Sequence, residues 1–210
     1  YLYGKCLEIL ETESDFKLLP IFAKITSKLP LGELMQKDVS ERKDYSEESY
    51  FKVISNKTAA MMEVAAEIGA MSTGASTEEI QNLKSFGYYM GLAFQIRDDI
   101  LDFFPEYNTG KPFGNDIKEK KITLPLIFLL NESSPKEREE ILEFIQQDNK
   151  KEKDILDLIN RVRDEGFIDK SEEKVKMFCH LAEIQLNRFR DSDSKTSLID
   201  LLYLSAKRES

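Results

Sequence analysis

The chain has 210 residues, of which 33% are charged and 41% hydrophobic, a composition typical of globular proteins rather than disordered or fibrous ones. Its formal net charge of −9 excludes a generally basic surface for nucleic acid, so phosphate binding would need local positive charge. No apolar run reaches the length of about 18 residues that a membrane span requires, and no signal peptide is recognisable. These features predict a cytoplasmic location without stable membrane insertion.

Cysteine and histidine are too few for many metal and nucleophile sites. Cys6 and Cys179 are far apart and form no metal-binding pair, so we expect two reduced, buried thiols. His180 is the only histidine, which argues against a histidine zinc site or a Ser–His–Asp triad. Any chemistry must therefore depend on carboxylates, lysines and backbone groups.

Apolar residues recur three and four positions apart almost throughout, which predicts helices and no strands. The predicted helical segments are Tyr1–Leu10, Leu18–Met35, Tyr50–Met71, Ile80–Phe104, Leu124–Leu130, Ile141–Ile145, Ile155–Val162, Val175–Phe189 and Leu198–Leu204. Pro30 should kink or interrupt the second segment. Capping signals precede three helices, in segments 44–47, 76–79 and 134–137. The sequence predicts a single all-α domain over residues 1–210, with one long irregular segment from Pro105 to about Lys121 that we expect to be functional.

The long apolar helix before this loop ends in three carboxylates, Asp98, Asp99 and Asp102. Residues four apart lie on one helical face, about 6 Å apart along the axis, so Asp98 and Asp102 face the same side and Asp99 lies beside them. Negative charge at a helix C-terminus is unfavourable and like charges repel, so a bound cation would explain the cluster. Carboxylates without nearby His or Cys suit Mg²⁺ bridging to substrate phosphates. The alternative is a solvated acidic helix end.

Lysines near this cluster suggest what the metal would accompany. Lys111 and Lys121 follow in or just after the loop, and Lys57-Thr58 lies within an apolar helix. Metal and ammonium groups together neutralise phosphate oxygens, so the set predicts a diphosphate site, although Lys57 could also be a surface lysine. Gln95 is either a buried amide with backbone partners or a group that orients substrate and stabilises positive charge.

Several segments, in this order, resemble the trans-isoprenyl diphosphate (polyprenyl) synthases, among them the octaprenyl and other medium- to long-chain enzymes. The segments are Tyr1–Tyr3, Gly32–Gln36, Lys57-Thr58, Gly91–Asp102, Thr109–Asp116 and Lys121–Pro125. The resemblance covers essentially the whole chain. It implies a helical bundle of the isoprenoid synthase type, a homodimer, and Mg²⁺-dependent head-to-tail condensation of isopentenyl diphosphate onto an allylic diphosphate.

The resemblance also implies a role for each motif residue. The metal-binding residues are Asp98, Asp99 and Asp102. The substrate-binding residues are Lys57, Thr58, Gln95, Lys111 and Lys121. Of these, the residues with catalytic roles are Lys57, Thr58 and Gln95, the last two facing the allylic carbocation, while Asp116 is expected to fix the loop.

One departure from the family pattern leaves the function open. A first aspartate-rich motif and basic residues for isopentenyl diphosphate do not occur in these 210 residues. We therefore expect an N-terminally incomplete copy, corresponding to the C-terminal two thirds of a polyprenyl synthase domain. The alternatives are a non-catalytic partner subunit of a heteromeric prenyl diphosphate synthase, a class I terpene cyclase, and a helical scaffold without a ligand. The Gly-Lys loop and the Lys121–Pro125 segment match chain-elongating enzymes better than cyclases.

Overall fold

A computed structural model describes residues 1, 4–6, 8–9, 18–104 and 113–207. Within these ranges every regular element is helical, as predicted. The helices are α1 Leu19–Arg42, α2 Glu47–Ile54, α3 Ala60–Ser72, α4 Thr77–Leu101, α5 Asn115–Lys118, α6 Leu124–Glu132, α7 Pro135–Gln146, α8 Glu152–Asp164, α9 Phe167–Leu186 and α10 Asp193–Ala206. A π-helical turn, Ser55–Ala59, joins α2 to α3. Of the predicted first helix, residues 4–6 and 8–9 are helical, and residues 2, 3, 7 and 10 lie outside the described residues.

Helix α4 is the centre of the bundle, because it packs along α3 on one side and along α9 on the other. Its residues Ile96 and Ile100 are completely buried. Helix α6 contributes Leu126 and Leu130, which are also fully buried, as its almost uniformly apolar sequence requires. Burying each such side chain stabilises the fold by about 1.5–3 kcal/mol. The same core fixes the C-terminal end of α4, where the carboxylates lie.

The predicted capping signals are present. The Ser76 side chain accepts a hydrogen bond from the Glu79 amide, and the Glu79 carboxylate accepts one from the Ser76 amide. Ser134 and Glu137 form the same reciprocal pair before α7. Ser46 is the N-cap of α2 and accepts from the Ser49 amide at 3.2 Å. These short-range bonds satisfy amides that a helix start leaves without intrahelical partners, which is why the sequence could predict them.

Helix α1 continues through Pro30, so the predicted interruption is wrong. A proline in a helix interior costs about 3 kcal/mol, but tertiary packing routinely overrides such local preferences. Here α1 packs tightly against the π turn: a Cβ added to Gly32 would lie 2.9 Å from the backbone nitrogen of Lys57. This close packing lies two residues from the proline, within the same helical turn.

The expectations from cysteine content and hydropathy are met in part. Cys179 is buried, but Cys6 is exposed, and both thiols are free. Across the described residues, none of the helices combines the length and the apolar character needed to cross a bilayer.

Candidate functional site

A cavity of about 580 Å³ opens between α1, α2, the π turn, the end of α4 and the segment from α5 into α6. Its volume lies within the range of small-molecule binding sites. Five of the residues expected to bind metal or substrate line this cavity, and they come from three separate parts of the chain: Lys57, Gln95, Asp98, Asp99 and Lys121. The fold thus brings the predicted lysines and carboxylates together around one space.

The remaining predicted residues have different positions. Thr58 is absent from the cavity wall but donates a hydrogen bond to Gln95, which lines it. Asp102 also does not line the cavity. Lys111 and the other residues of segment 105–112 lie outside the described residues. In the described part of the predicted irregular segment, residues 115–118 form the short helix α5.

The π turn that carries Lys57 and Thr58 replaces part of the uninterrupted helix predicted over Tyr50–Met71. Two glycines make close backbone contacts with it. A Cβ on Gly91 of α4 would lie 2.5 Å from the Cα of Ala59, and a Cβ on Gly32 of α1 would be almost as close to Lys57. π turns within helices are frequent at functional sites, and this one is held between two neighbouring backbones. Apolar periodicity contains no signal for it.

Lys57 lines the cavity, so it is more than a lysine of the outer surface. Its Nζ lies 3.0 Å from Glu33 Oε1 and donates to Gln36 Oε1 at 3.1 Å. Both partners belong to the Gly32–Gln36 segment of α1. The ammonium group is therefore held over the cavity by an acidic and an amide side chain from the neighbouring helix.

Lys121 also lines the cavity and is held in a similar way. Its Nζ lies 2.6 Å from Glu119 and 3.5 Å from Asp116. Although burial opposes it, the hydrogen bond to Glu119 and the negative charge of Asp116 raise the pKa of Lys121. The side chain therefore keeps its positive charge at neutral pH.

Gln95 lies in a continuous chain of hydrogen bonds. Its Oε1 accepts from Thr58 Oγ1 at 2.5 Å, and its Nε2 donates to Asp99 Oδ1 at 2.9 Å. The second carboxylate oxygen of Asp99 accepts from the hydroxyl of Tyr50 at 2.6 Å. Both Asp99 oxygens are thus engaged with protein donors. The sequence analysis did not identify Tyr50, although it lies seven residues, about two helical turns, before Lys57.

Asp102 anchors the segment that follows α4. Its two carboxylate oxygens accept from the backbone amides of Asn115 and Asp116 at 2.8 and 2.9 Å, and its carbonyl accepts from the Gly114 amide at 3.1 Å. Gly114 has φ 63°, and a Cβ there would lie 2.6 Å from Ile155. A non-glycine residue would be strained and would clash at this position. The anchor places the Asp116 side chain on the cavity wall, so Asp116 does more than fix the loop.

Asp98 differs from the other two carboxylates of the motif. It lines the cavity and accepts no hydrogen bond from the residues that the structure describes. Asp116 lies near enough for the charge of Asp98 to raise its pKa. The carboxylates of Asp98 and Asp116 therefore lie close to each other on the cavity wall.

The carboxylates around Asp116 are electrostatically strained. Burial, with the charge of Asp116 second, raises the pKa of Asp99 to about 7 and that of Asp102 to about 6. Burial and the charge of Asp98 also raise the pKa of Asp116, against the effect of Lys121. A cation would relieve this repulsion.

The donor set fits Mg²⁺, which commonly takes one or two protein carboxylates together with substrate phosphates. Asp98 and Asp116 are hard oxygen donors on the cavity wall. Over the described ranges, no set of three His, Cys, Asp or Glu side chains is grouped to hold a metal ion. The protein donors present would therefore need phosphate oxygens to complete the coordination of the ion.

Comparison with known proteins identifies relatives along the whole chain. It is 27% identical over 212 residues to the octaprenyl diphosphate synthase of Escherichia coli K12, and 30% identical over 209 residues to that of Haemophilus influenzae. The alignments cover 100% and 99% of this chain, but 65% and 63% of the relatives. The chain thus spans less than two thirds of the length of either relative. It is also 28% identical over 210 residues to heptaprenyl diphosphate synthase component 2 of Bacillus subtilis, of which it covers 59%.

Solved structures share the fold. The polyprenyl synthase from Caulobacter crescentus CB15, complexed with calcium and isoprenyl diphosphate, matches with a TM-score of 0.92 at 28% identity, over 100% of this chain and 64% of that one. A geranylgeranyl pyrophosphate synthase from Bacteroides thetaiotaomicron matches with a TM-score of 0.89 at 30% identity, over 98% and 68%. The predicted all-α isoprenoid synthase fold is confirmed. The family sequence model described as Polyprenyl synthetase matches residues 1–162, and the chain belongs to that family.

Proposed function

We propose that the protein is a Mg²⁺-dependent prenyltransferase that condenses isopentenyl diphosphate onto an allylic diphosphate and forms an all-trans polyprenyl diphosphate. The observation that supports this most directly is the arrangement of the cavity. Its lining includes the lysines Lys57 and Lys121, the carboxylates Asp98 and Asp116, and the Gln95 amide, which is hydrogen-bonded to Thr58. This is the set of groups that departure of a diphosphate and formation of an allylic cation require.

Lys57 and Lys121 would bind the diphosphate. Each ammonium now contacts a glutamate, Glu33 or Glu119, and phosphate oxygens of higher charge would compete for the same donors. As the allylic carbon–oxygen bond breaks, its electron pair leaves with the diphosphate, whose growing charge the two lysines stabilise. The alkene of isopentenyl diphosphate then forms the new carbon–carbon bond, and the departing diphosphate takes the proton that is lost.

The cation needs oxygen dipoles rather than a nucleophile. Gln95 lines the cavity and its Oε1 accepts from Thr58 Oγ1 at 2.5 Å, so Thr58 fixes the direction of the amide carbonyl dipole. Oriented dipoles of this kind stabilise positive charge without forming a bond that would trap the intermediate. The carbonyl group of Lys57 is a third candidate in the same turn.

Within the aspartate motif we assign different tasks to the three carboxylates. Asp98, with Asp116 nearby, would hold Mg²⁺, because neither Asp99 nor Asp102 has a carboxylate oxygen without a protein donor. The bound ion would supply charge neutralisation for the diphosphate. Asp99 and Asp102 would contribute indirectly, the first through Gln95 and the second through the segment that carries Asp116.

The test is prenyl transfer by the native protein, its mass verified, with Mg²⁺, labelled isopentenyl diphosphate and farnesyl diphosphate, followed by sizing of the products. Labelled polyprenyl products would support the proposal and give the chain length. Asp98→Ala should lower turnover by orders of magnitude with little loss of stability, because it removes clustered negative charge. Asp157, an exposed aspartate of α8 remote from the cavity, provides the matched control, and Asp157→Ala should retain activity. Unfolding of the Asp98→Ala protein would contradict the metal assignment.

A second candidate function is a non-catalytic subunit of a heteromeric prenyl diphosphate synthase. The similarity to a protein named as component 2 of a heptaprenyl diphosphate synthase favours the heteromeric assembly in this proposal. The two proposals also differ in assembly, because the family resemblance implies that an active synthase would be a homodimer. Light scattering on the purified protein, combined with the transfer assay, separates them: an active homodimer supports the first, and an inactive protein that gains activity only with a second synthase component supports the other.

A further inference from the structure

We infer that Tyr50 is a positioning residue for the allylic cation, acting on Gln95 through Asp99. This inference rests on the proposed function for the role of Gln95, and on the structure for the contacts. The chain of hydrogen bonds runs from Tyr50 Oη to Asp99 Oδ2 at 2.6 Å, and from Gln95 Nε2 to Asp99 Oδ1 at 2.9 Å. It connects α2 with α4 across the floor of the cavity.

The chain determines which end of the Gln95 amide faces Thr58. A glutamine amide has a donor end and an acceptor end of similar shape, and it can rotate by half a turn at little steric cost. In the structure both Asp99 oxygens accept, Oδ2 from Tyr50 and Oδ1 from Gln95 Nε2, so the donor end of the amide points toward Asp99. Oε1 is then directed to Thr58, from which it accepts. If the Gln95 amide were rotated by half a turn, its N–H group would lie where an allylic cation would form. The N–H dipole would repel that positive charge.

Tyr50 holds the carboxylate that performs this selection. Its side chain is 6% exposed, and its ring packs edge-on against Phe51 with centroids 5.4 Å apart. The hydroxyl therefore has a fixed position from which it donates to the second oxygen of Asp99. Without this donor, one oxygen of the buried Asp99 carboxylate would have no partner. The carboxylate could then rotate, and its hydrogen bond with Gln95 would no longer have a fixed direction.

Tyr50→Phe removes only the hydroxyl and is the first variant to measure, with the native protein as reference. We expect kcat for prenyl transfer to fall about 10- to 100-fold, the range for a slightly misplaced catalytic group, with little change in the KM for the allylic diphosphate. The control is Tyr203→Phe, which removes a tyrosine–carboxylate hydrogen bond of the same 2.6 Å length to Glu183, far from the cavity. It should leave both constants unchanged.

A coupling measurement separates positioning from general stabilisation. In a Gln95→Ala background, Tyr50→Phe should have no further effect on kcat, since the group on which it acts is missing. A fall in kcat of equal size in both backgrounds would overturn the inference. So would a Tyr50→Phe protein with kcat unchanged.

A spectroscopic measurement tests the contact even if the protein shows no turnover. In protein labelled with ¹⁵N-glutamine, the Gln95 side-chain amide signals should shift in Tyr50→Phe and remain in place in Tyr203→Phe. Unshifted Gln95 signals would overturn the inference, whereas an inactive native protein with shifted signals would contradict the proposed function alone. If Tyr50→Phe does not fold, Asp99→Ala removes both acceptors of the chain. It is assessed by the same Gln95 signals and the same Gln95→Ala comparison.

Discussion

Replacing Gly91 by alanine should separate α4 from the π turn. The added Cβ would lie 2.5 Å from the Cα of Ala59 and 3.2 Å from its Cβ. Because the nearest atom is backbone, no side-chain rotation relieves the contact, and the two elements must move apart by about 1 Å to reach ordinary van der Waals distance. Overpacking of this kind costs about 1–3 kcal/mol, against a gain of up to about 1 kcal/mol from replacing glycine by alanine in a helix.

The expected net effect is a loss of about 1–2 kcal/mol of unfolding free energy, which lowers Tm by about 2–8 °C in a chain of this size. Urea unfolding followed by circular dichroism measures it. Gly69→Ala is the control, because a Cβ at that position of α3 meets nothing within 4 Å, and it should stabilise the protein by about 0.5–1 kcal/mol. A Gly91→Ala protein as stable as Gly69→Ala would refute the close approach of the two backbones, and with it the packing that supports the π turn.

Three further predictions concern the site. Lys57→Ala should weaken binding of an allylic diphosphate about 10- to 100-fold by calorimetry, since it removes a charged donor. The control Lys52→Ala, on the exposed side of α2, should not weaken it, and equal affinities of the two variants would contradict the role of Lys57. Asp102→Ala should lower the unfolding free energy by about 1–3 kcal/mol and speed hydrogen exchange at the amides of residues 115 and 116, because both lose their acceptor; unchanged exchange would refute the anchor. Because burial raises the pKa of Asp99 to about 7 from an ordinary value of 3.8, the folded state binds this proton more tightly than the unfolded state. The unfolding free energy of metal-free protein should therefore contain a contribution that decreases from about pH 4 to pH 7. Asp99→Asn should remove this contribution in urea titrations at the two ends of this range. An equal change of unfolding free energy with pH in both proteins would contradict the raised pKa of Asp99.

Features that depend on neighbouring residues were predictable from the sequence. Apolar periodicity identified the helices, and the caps at Ser76 and Ser134 followed from residues three positions apart. The carboxylates at the end of α4 were recognisable because their spacing and their position at the end of an apolar helix are local properties. Lys57 and Lys121 could be associated with them through the family resemblance. Apart from this resemblance, each of these signals lies within a few helical turns of chain.

The tertiary structure determined which hydrogen-bond partner each of these groups has. Tyr50 and Asp99 are 49 residues apart and Thr58 and Gln95 are 37 apart, so their contacts arise only when α2 and the π turn pack against α4. The π turn likewise packs closely against glycines of two other helices, Gly32 of α1 and Gly91 of α4, which no local pattern indicates. A sequence therefore determines which charges and helices are available, whereas packing determines which carboxylate oxygens already have protein donors. That difference distinguishes Asp98, which lines the cavity, from two aspartates of the same motif whose oxygens are already bound.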